Sequence, residues 1–333
     1  MIFAITQSAI NGTETVLNNL DELLMRVEDD IHELEIVDAD LLEGSAWYKS
    51  CRPDRRNILE KSAEALFHRS PRTCGPHLRR IVVTDESTAV KAREIAHTPL
   101  HVLVENFDSD GALVKIALMV FATPAAWELC FGTGALRTPP ALGIESAGGY
   151  GELEKLLRKK VKEAADRGLE PRVVVMTDSD GEWVGDVKKH AKEIRDECVA
   201  AGVPCPPLNK RTVENYIPDA VWQAWSAERQ QTSRRPGVEA LLRLSRHQRD
   251  HVNIDRANGA PWSVTEPNAA ALFAGVSDTD RDLLTKAKLK GRGVLGIAAI
   301  LSTYKSALTR ADLQARDYEG DLEALARCIE DGL

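Results

Sequence analysis

The stretch Arg172-Val-Val-Val-Met-Thr-Asp-Ser-Asp180 decides the fold that this sequence predicts. Residues 173–176 form a short, nearly continuous apolar run, which is typical of a strand buried on both faces of a parallel sheet. A second run, His101-Val-Leu-Val104, lies upstream and leads directly into Glu105. Helical patterns separate and follow these runs, over residues 111–121, 150–167 and 184–201. Because strands alternate with helices, the sequence predicts an α/β fold with a parallel sheet.

The chain divides into three predicted regions. Its 333 residues are enough for about two domains of ordinary size. The patterns near the start are mixed and predict a strand over 2–5 and helices over 16–27 and 56–67. After Pro218 the strand signals fade and helical patterns take over, including one over 237–247. We expect a small acidic α/β extension over 1–79, a core with the parallel sheet over 80–228 and a mainly helical region over 229–333.

Composition narrows the choice of partners. The net charge is −8, but eleven acidic residues and one basic residue lie between Glu14 and Glu43, so the rest of the chain is slightly basic. The acidic total therefore leaves nucleic acid open as a partner and argues only against phosphate contact by the N-terminal part. Six cysteines without C-x-x-C spacing predict reduced thiols and a cytoplasmic location. No apolar run is long enough for a membrane span, so we expect no membrane partner.

Acidic side chains follow both apolar runs. They are Glu105, Asp108 and Asp110 after the first run, and Asp178, Asp180 and Glu182 after the second. Ligands of open parallel sheets bind beyond the carboxyl ends of the strands, so both groups belong to the edge where binding occurs. Carboxylates gathered at one place repel each other unless a cation is present, and their hard oxygens suit Mg²⁺ or Mn²⁺. The alternative is that these acids cap helices and occupy solvated turns.

Several short motifs occur in a fixed order along the chain. They are Glu105-Asn, Ser109-Asp110, Gly148-Gly149, Asp178-Ser-Asp180 and Glu214-Asn-Tyr. This order, which covers residues 80–218, resembles a Toprim domain and is most similar to its nuclease branch, the overcoming-lysogenization-defect (OLD)-type and stand-alone Toprim proteins. The resemblance implies a Toprim-like sheet and Mg²⁺- or Mn²⁺-dependent cleavage of DNA or RNA. It also implies a role in bacterial defence or in a mobile element.

The same resemblance implies roles for individual residues. Glu105 matches the glutamate that ends the first core strand of the family, which binds metal and assists acid–base chemistry. The next acid of the family corresponds to Asp110 or Asp108, because the spacing here departs from the usual one. The implied metal ligands are Glu105, Asp110, Asp178, Asp180 and Glu182. A late lysine often completes the nuclease site, with Lys288 and Lys290 as candidates, and the implied catalytic residues are Glu105, Asp178, Asp180 and Lys290. Glu214 and Asn215 are candidates to contact the metal ligands without binding the metal themselves.

Two further features concern partners. No G-x-x-x-x-G-K-[ST] motif occurs, so the sequence carries no P-loop ATPase. OLD-type proteins usually carry one, so the resemblance implies a separate ATPase subunit, and a homodimer is a further expectation. Arg243, Arg246 and Arg249 recur every three residues on a predicted helix and, with Lys288, predict a stripe that contacts nucleic-acid phosphates. The alternative for the arginines is a solvated helix face.

Two other functions stay open at this point. The first is a D-x-D glycosyltransferase, in which Asp178 and Asp180 hold Mn²⁺ and a nucleotide sugar. That function explains the D-x-D motif but leaves Glu105 at the end of the other strand without a role. The second is a catalytically inactive Toprim scaffold that binds a partner.

Overall fold

The computed structural model describes residues 1–29, 31–68, 80–228, 231–254, 266–287 and 308–333, together with positions 289, 300 and 303. The predicted α/β class is confirmed, with two small parallel sheets and many helices. The first sheet contains β1 (Ile2–Ile5), β2 (Glu33–Ile36) and β3 (Arg80–Val83), in the order β2-β1-β3. The helices around it are α1 (Gln7–Ile10), α2 (Glu14–Glu28), α3 (Ala46–Ser50), α4 (Pro53–His68) and α5 (Glu86–Ala96), with a 3₁₀-helix over Ala39–Leu41.

The first sheet extends further along the chain than expected. β3 pairs in parallel with β1, with Ile5 opposite Val83, and α5 packs against α2. The predicted boundary at residue 80 therefore cuts through this unit, which runs to the end of α5. The apolar run of β3 suits a strand of either sheet, so only the tertiary pairing decides its place.

The second sheet contains the apolar run that precedes the D-x-D motif. It contains β4 (Leu100–Val104), β5 (Leu142–Ser146) and β6 (Val173–Val175), all parallel, in the order β5-β4-β6. The central strand is buried on both faces: Val102 and Val104 join one core cluster, whereas Leu103 joins another. This alternation explains why the runs are continuously apolar, because successive side chains point to opposite faces.

Helices cover both faces of the second sheet. They are α6 (Asp110–Phe121), α7 (Pro124–Phe131), α8 (Tyr150–Asp166) and α9 (Lys189–Ala200), with a 3₁₀-helix over Thr133–Leu136. α9 begins five residues later than the predicted start at residue 184. Residues 181–188 form a loop instead, and this loop borders the candidate site.

The C-terminal region is helical, as predicted. After a 3₁₀-helix over Val213–Tyr216 come α10 (Asp219–Ala227), α11 (Arg235–Arg243), α12 (Arg246–His251), α13 (Pro267–Phe273), α14 (Asp278–Ala287), α15 (Arg310–Arg316) and α16 (Asp321–Gly332). α16 packs against α6, and its fully buried Leu322 and Leu325 belong to the same core cluster as Val102. Among the helices in the described ranges, none combines the length and the apolar character that crossing a bilayer requires.

The single helix predicted over 237–247 is wrong. α11 ends at Arg243 and α12 begins at Arg246. Leu244 is extended, and Ser245 forms a capping box with Gln248 that starts a new helix.

Candidate metal-binding site

Five carboxylates interact at the carboxyl edge of the second sheet. They are Glu105, Asp110, Asp178, Asp180 and Glu214, and this set is called the carboxylate cluster below. Glu105 directly follows β4, and Asp178 follows β6 after Met176 and Thr177. Asp110 opens α6, and Glu214 comes from the 3₁₀-helix Val213–Tyr216. The parallel register of β4 and β6 brings the two strand ends side by side, as expected for parallel strands.

Glu105 is held firmly at the end of β4. Its Oε1 accepts a hydrogen bond from the Thr177 hydroxyl at 3.3 Å, which links the ends of β4 and β6. Its carbonyl oxygen accepts a hydrogen bond at 3.0 Å from Oγ of Ser146, the last residue of β5. It accepts a second one at 2.9 Å from the N–H of Gly148, which follows β5. Burial, together with repulsion from Asp110 and Asp180, raises the pKa of Glu105 to about 8, although the Thr177 hydrogen bond opposes this shift.

Asp178 is surrounded by the other four members of the carboxylate cluster. Burial raises its pKa well above the ordinary value, and the four charged groups that add most to the shift are all carboxylates: Asp110, Glu214, Glu105 and Asp180. The residue as a whole is half-buried, but its Oδ1 is buried and has no hydrogen-bond partner in the part of the chain that the structure describes. A buried carboxylate oxygen without a partner is costly, so either a proton or a cation is needed there.

Asp110 and Asp108 were both candidates for the second acid after β4, and the structure separates them. Asp110 is buried, and its carboxylate accepts hydrogen bonds from the Asn106 N–H at 2.9 Å and Ser109 Oγ at 2.7 Å. Asp108 is exposed in the connecting turn. The carboxylate cluster therefore contains Asp110.

The loop after β6 is anchored by the residue between the two aspartates. Ser179 is fully buried; its hydroxyl donates to the Lys210 carbonyl oxygen at 2.8 Å and accepts from the Gly181 N–H at 3.1 Å. Asp180 has a φ of 50°, in the left-handed region that non-glycine residues rarely adopt. Its N–H donates to the Arg211 carbonyl oxygen at 2.9 Å, and its Oδ2 lies 3.1 Å from His190 Nε2. These bonds fix the backbone that carries both aspartates.

Glu182 lies among basic side chains. Its Oε1 is 3.3 Å from Lys188 Nζ and 3.9 Å from an Arg211 nitrogen, so it forms ion pairs with basic side chains. Glu214 joins the other acids instead; it is 2% exposed, and its 3₁₀-helix is capped by reciprocal bonds between Thr212 and Asn215. The amide of Asn215 also donates to the Arg249 and Val252 carbonyl oxygens, which ties this helix to the C-terminal region.

A buried network of ion pairs supports the loop that carries Asp178 and Asp180. Asp250 Oδ1 lies 3.0 Å from Lys210 Nζ and 2.7 Å from Arg316 Nη2, and Asp250 Oδ2 accepts a hydrogen bond from the Tyr318 hydroxyl. Lys210, Asp250 and Arg316 are each no more than 5% exposed. Because the carbonyl of Lys210 anchors Ser179, this network helps to position the D-x-D loop. Sequence reasoning missed it, and the only signal is that Lys210 lies just before the Glu214-Asn-Tyr motif.

The arginines of the predicted stripe do not share one helix face. Arg243 lies at the end of α11 and its Nε bonds to Asp280 at 3.0 Å. Arg246 lies 3.8 Å from the ring centroid of Tyr318, and Arg249 forms an ion pair with Asp219. The expectation that one helix carries all three arginines is therefore wrong, because the chain breaks between α11 and α12; their contact with nucleic-acid phosphates stays a prediction. Lys288 and Lys290, the candidate late lysines, lie outside the described residues.

The donor set fits a hard divalent cation in chemistry and charge, since it consists of carboxylate oxygens with one buried oxygen left unpartnered. The carboxylates interact with one another, but their oxygens do not converge on one point. In the described ranges, no three His, Cys, Asp or Glu side chains are arranged closely enough to hold one ion as they stand. An ion bound here would therefore require rotation of some of these side chains.

Comparison with known proteins identifies no relative for this chain. No protein-family model, no curated protein and no solved structure matches it. The chemistry of the carboxylate cluster is therefore inferred from its own residues.

Proposed function

We propose that this chain is a nuclease that depends on Mg²⁺ or Mn²⁺, has a Toprim-like core and cleaves phosphodiester bonds of DNA or RNA at the carboxylate cluster. The observation that carries the proposal is Asp178, whose buried Oδ1 has no hydrogen-bond partner in the described part of the chain, with four further carboxylates around it. Like charges at such a position raise each other's pKa and favour binding of a cation.

The ligands proposed for the metal are Glu105, Asp178 and Asp180, with Asp110 and Glu214 adding negative charge beside them. When bound, Mg²⁺ neutralises this charge, lowers the pKa of a water molecule and stabilises the charge on the leaving oxygen of a phosphodiester. Glu182 stays in the proposal only as an acid that holds Lys188 and Arg211 next to the site.

The protein's own groups supply proton transfer and positioning. Burial and repulsion raise the pKa of Glu105 to about 8 before any cation binds, so the carboxyl group would release its proton when it becomes a ligand of the cation. Thr177 donates a hydrogen bond to Oε1 of Glu105, and His190 Nε2 lies 3.1 Å from Oδ2 of Asp180, so each carboxylate has one partner that orients it in the absence of a cation. Lys290 is the proposed cation beside the charged transition state.

The clustering of Glu105 with Asp178 favours a nuclease over a D-x-D glycosyltransferase. A glycosyltransferase needs only the two aspartates of its motif, whereas here the acid at the end of β4 interacts with both of them. The separate ATPase subunit, the homodimer, the cytoplasmic location and the role in defence follow from the sequence and its resemblance alone, and they belong to the same proposal.

A cleavage assay with purified full-length protein tests the proposal. Supercoiled plasmid, linear DNA and RNA are incubated with Mg²⁺, Mn²⁺ or EDTA. We expect cleavage with either cation and none with EDTA. The Asp178→Asn variant should lose activity by about 100-fold or more, which is the scale of a lost catalytic group. The matched control is Asp166→Asn, an acid on the outer surface of α8 paired with Lys162.

Two outcomes would overturn the proposal. One is the absence of cleavage of every substrate with both cations. The other is equal activity of wild type and Asp178→Asn, which would place the cleavage outside the carboxylate cluster. Turnover of radiolabelled nucleotide sugars would support the glycosyltransferase function instead.

A further inference from the structure

Two aromatic rings lie at the same sheet edge as the carboxylate cluster, and each is accompanied by a lysine. Phe107 is in the loop after β4 and is 48% exposed, although it is a large apolar side chain. Lys115 Nζ lies 5.3 Å from the centroid of its ring. Trp183 is in the loop after β6, half-buried, with Lys188 Nζ 5.5 Å from its ring centroid. Aromatic–cation pairs thus occur in both loops that carry the acids.

Local structure constrains the segment that carries each ring. The ring of Phe107 rests on the first turn of α6, where a Cβ added to Gly111 would lie 3.6 Å from its Cδ2. The carbonyl oxygen of Trp183 accepts a hydrogen bond from the Asp186 N–H at 3.0 Å, which closes a tight turn in the 181–188 loop. Supported rings lose little conformational freedom when a flat ligand stacks on them.

The sequence positions tie both rings to the acids. Phe107 lies between Glu105 and Asp110, two and three residues away, and Trp183 lies three residues after Asp180. An exposed phenylalanine costs free energy in water, because its apolar surface gains nothing from solvation. A ligand that covers the ring and at the same time presents a phosphate to the acids and their cation accounts for this placement.

We propose that Phe107 and Trp183 form a stacking surface for unpaired bases, so that the site accepts single-stranded nucleic acid. This rests on the proposed nuclease function and names its substrate class. Bases of a single strand expose their faces and stack on aromatic side chains, whereas those faces are covered in a duplex. Lys115 and Lys188 each lie over one of the two rings, and a base that stacks there would displace them towards its own phosphates.

Binding without cleavage is the direct test. Fluorescence anisotropy is measured with labelled oligo(dT), with oligo(rU) of the same length and with a blunt DNA duplex. Ca²⁺ replaces Mg²⁺ to neutralise the carboxylates. Wild type should bind the single strands more tightly than the duplex. Phe107→Ala and Trp183→Ala should each weaken single-strand binding about 5- to 100-fold, the effect of losing one base–aromatic stack, and should leave duplex binding unchanged.

Matched variants separate stacking from other effects. Phe107→Trp and Trp183→Phe keep an aromatic ring and should retain most of the affinity. Tyr48→Ala is the control. Tyr48 also forms a cation–π contact, with the Arg56 guanidinium 5.3 Å from its ring centroid, but it packs against the core of the first sheet. Comparison of oligo(dT) with oligo(rU) shows whether DNA or RNA is preferred.

The failure of this inference is distinguishable from that of the nuclease proposal. If both alanine variants bind single strands as wild type does, or if wild type prefers the duplex, the stacking surface is refuted even when cleavage occurs. If wild type binds single strands through both rings but never cleaves, the nuclease proposal fails and the stacking surface stands.

Discussion

Replacement of Glu105 by glutamine should stabilise the protein when no divalent cation is present, and increasingly so as the pH rises. The pKa of Glu105 moves from 4.5 to about 8 on folding, so the folded state holds a proton that the unfolded state releases between those values. Stability therefore falls as the pH rises through this window. Linkage gives a cost of about 1.4 kcal/mol at pH 5.5 and about 3 kcal/mol at pH 7 as upper limits.

Glutamine keeps the shape of the side chain and removes the titration. The advantage of Glu105→Gln over wild type should therefore grow by about 2 kcal/mol between these two pH values, or roughly 3 °C in melting temperature for a chain of this length. Thermal unfolding in EDTA across this pH range measures it. The pKa values of Asp317, raised to about 7, and His32, lowered to about 2, also depart from normal, but both groups are the same in the two proteins and cancel in the difference.

Addition of Mg²⁺ completes the assay. Mg²⁺ should raise the melting temperature of wild type, most strongly at the higher pH, and should raise that of Glu105→Gln much less. A difference between the two proteins that stays constant from pH 5.5 to pH 7 would refute the electrostatic reasoning. So would an equal response of both proteins to Mg²⁺.

Further predictions concern the other charged groups. Asp178→Asn should raise the melting temperature in EDTA, because it removes a buried charge, and should abolish the response to Mg²⁺; a lower melting temperature would instead indicate a structural cap. Asp250→Ala leaves Lys210 buried without its ion pair and should destabilise the protein by about 3–5 kcal/mol in denaturant unfolding, whereas a loss below about 1 kcal/mol would argue against the buried network. Arg243→Ala should leave the salt dependence of nucleic-acid binding unchanged, because Arg243 pairs with Asp280, and Lys115→Ala, next to the Phe107 ring, should lower its slope by about one. Equal slopes for both variants would place the phosphate contacts elsewhere.

The core strands of the second sheet were predictable because their signal is local. An apolar run buried on both faces, such as Val173–Val175, needs no knowledge of the rest of the chain. β2 was missed because Glu33-Leu-Glu-Ile36 lies in the acidic segment and buries only alternate residues. The sheet to which β3 belongs was not predictable either, since its partner β1 lies more than 70 residues earlier.

The candidate site, too, could be predicted only where the signal lies in the local sequence. Parallel topology predicts that acids after β4 and β6 meet, and the structure brings Glu105, Asp110, Asp178 and Asp180 together. The fifth member was not predictable from strand ends. Glu182 forms an ion pair with Lys188, and Glu214 comes from a 3₁₀-helix that Asn215 ties to the C-terminal region by its hydrogen bond to Arg249.

Titration of the metal-free protein with Mn²⁺ by isothermal calorimetry tests the central claim most directly. The carboxylate cluster should bind Mn²⁺ saturably in wild type and at least about tenfold more weakly in Asp178→Asn. Binding should release protons, seen as an enthalpy that changes with the ionisation heat of the buffer, because the pKa values of Glu105 and Asp178 are raised before the cation binds. Absence of saturable binding in wild type, or equal binding by the two proteins, would contradict the account.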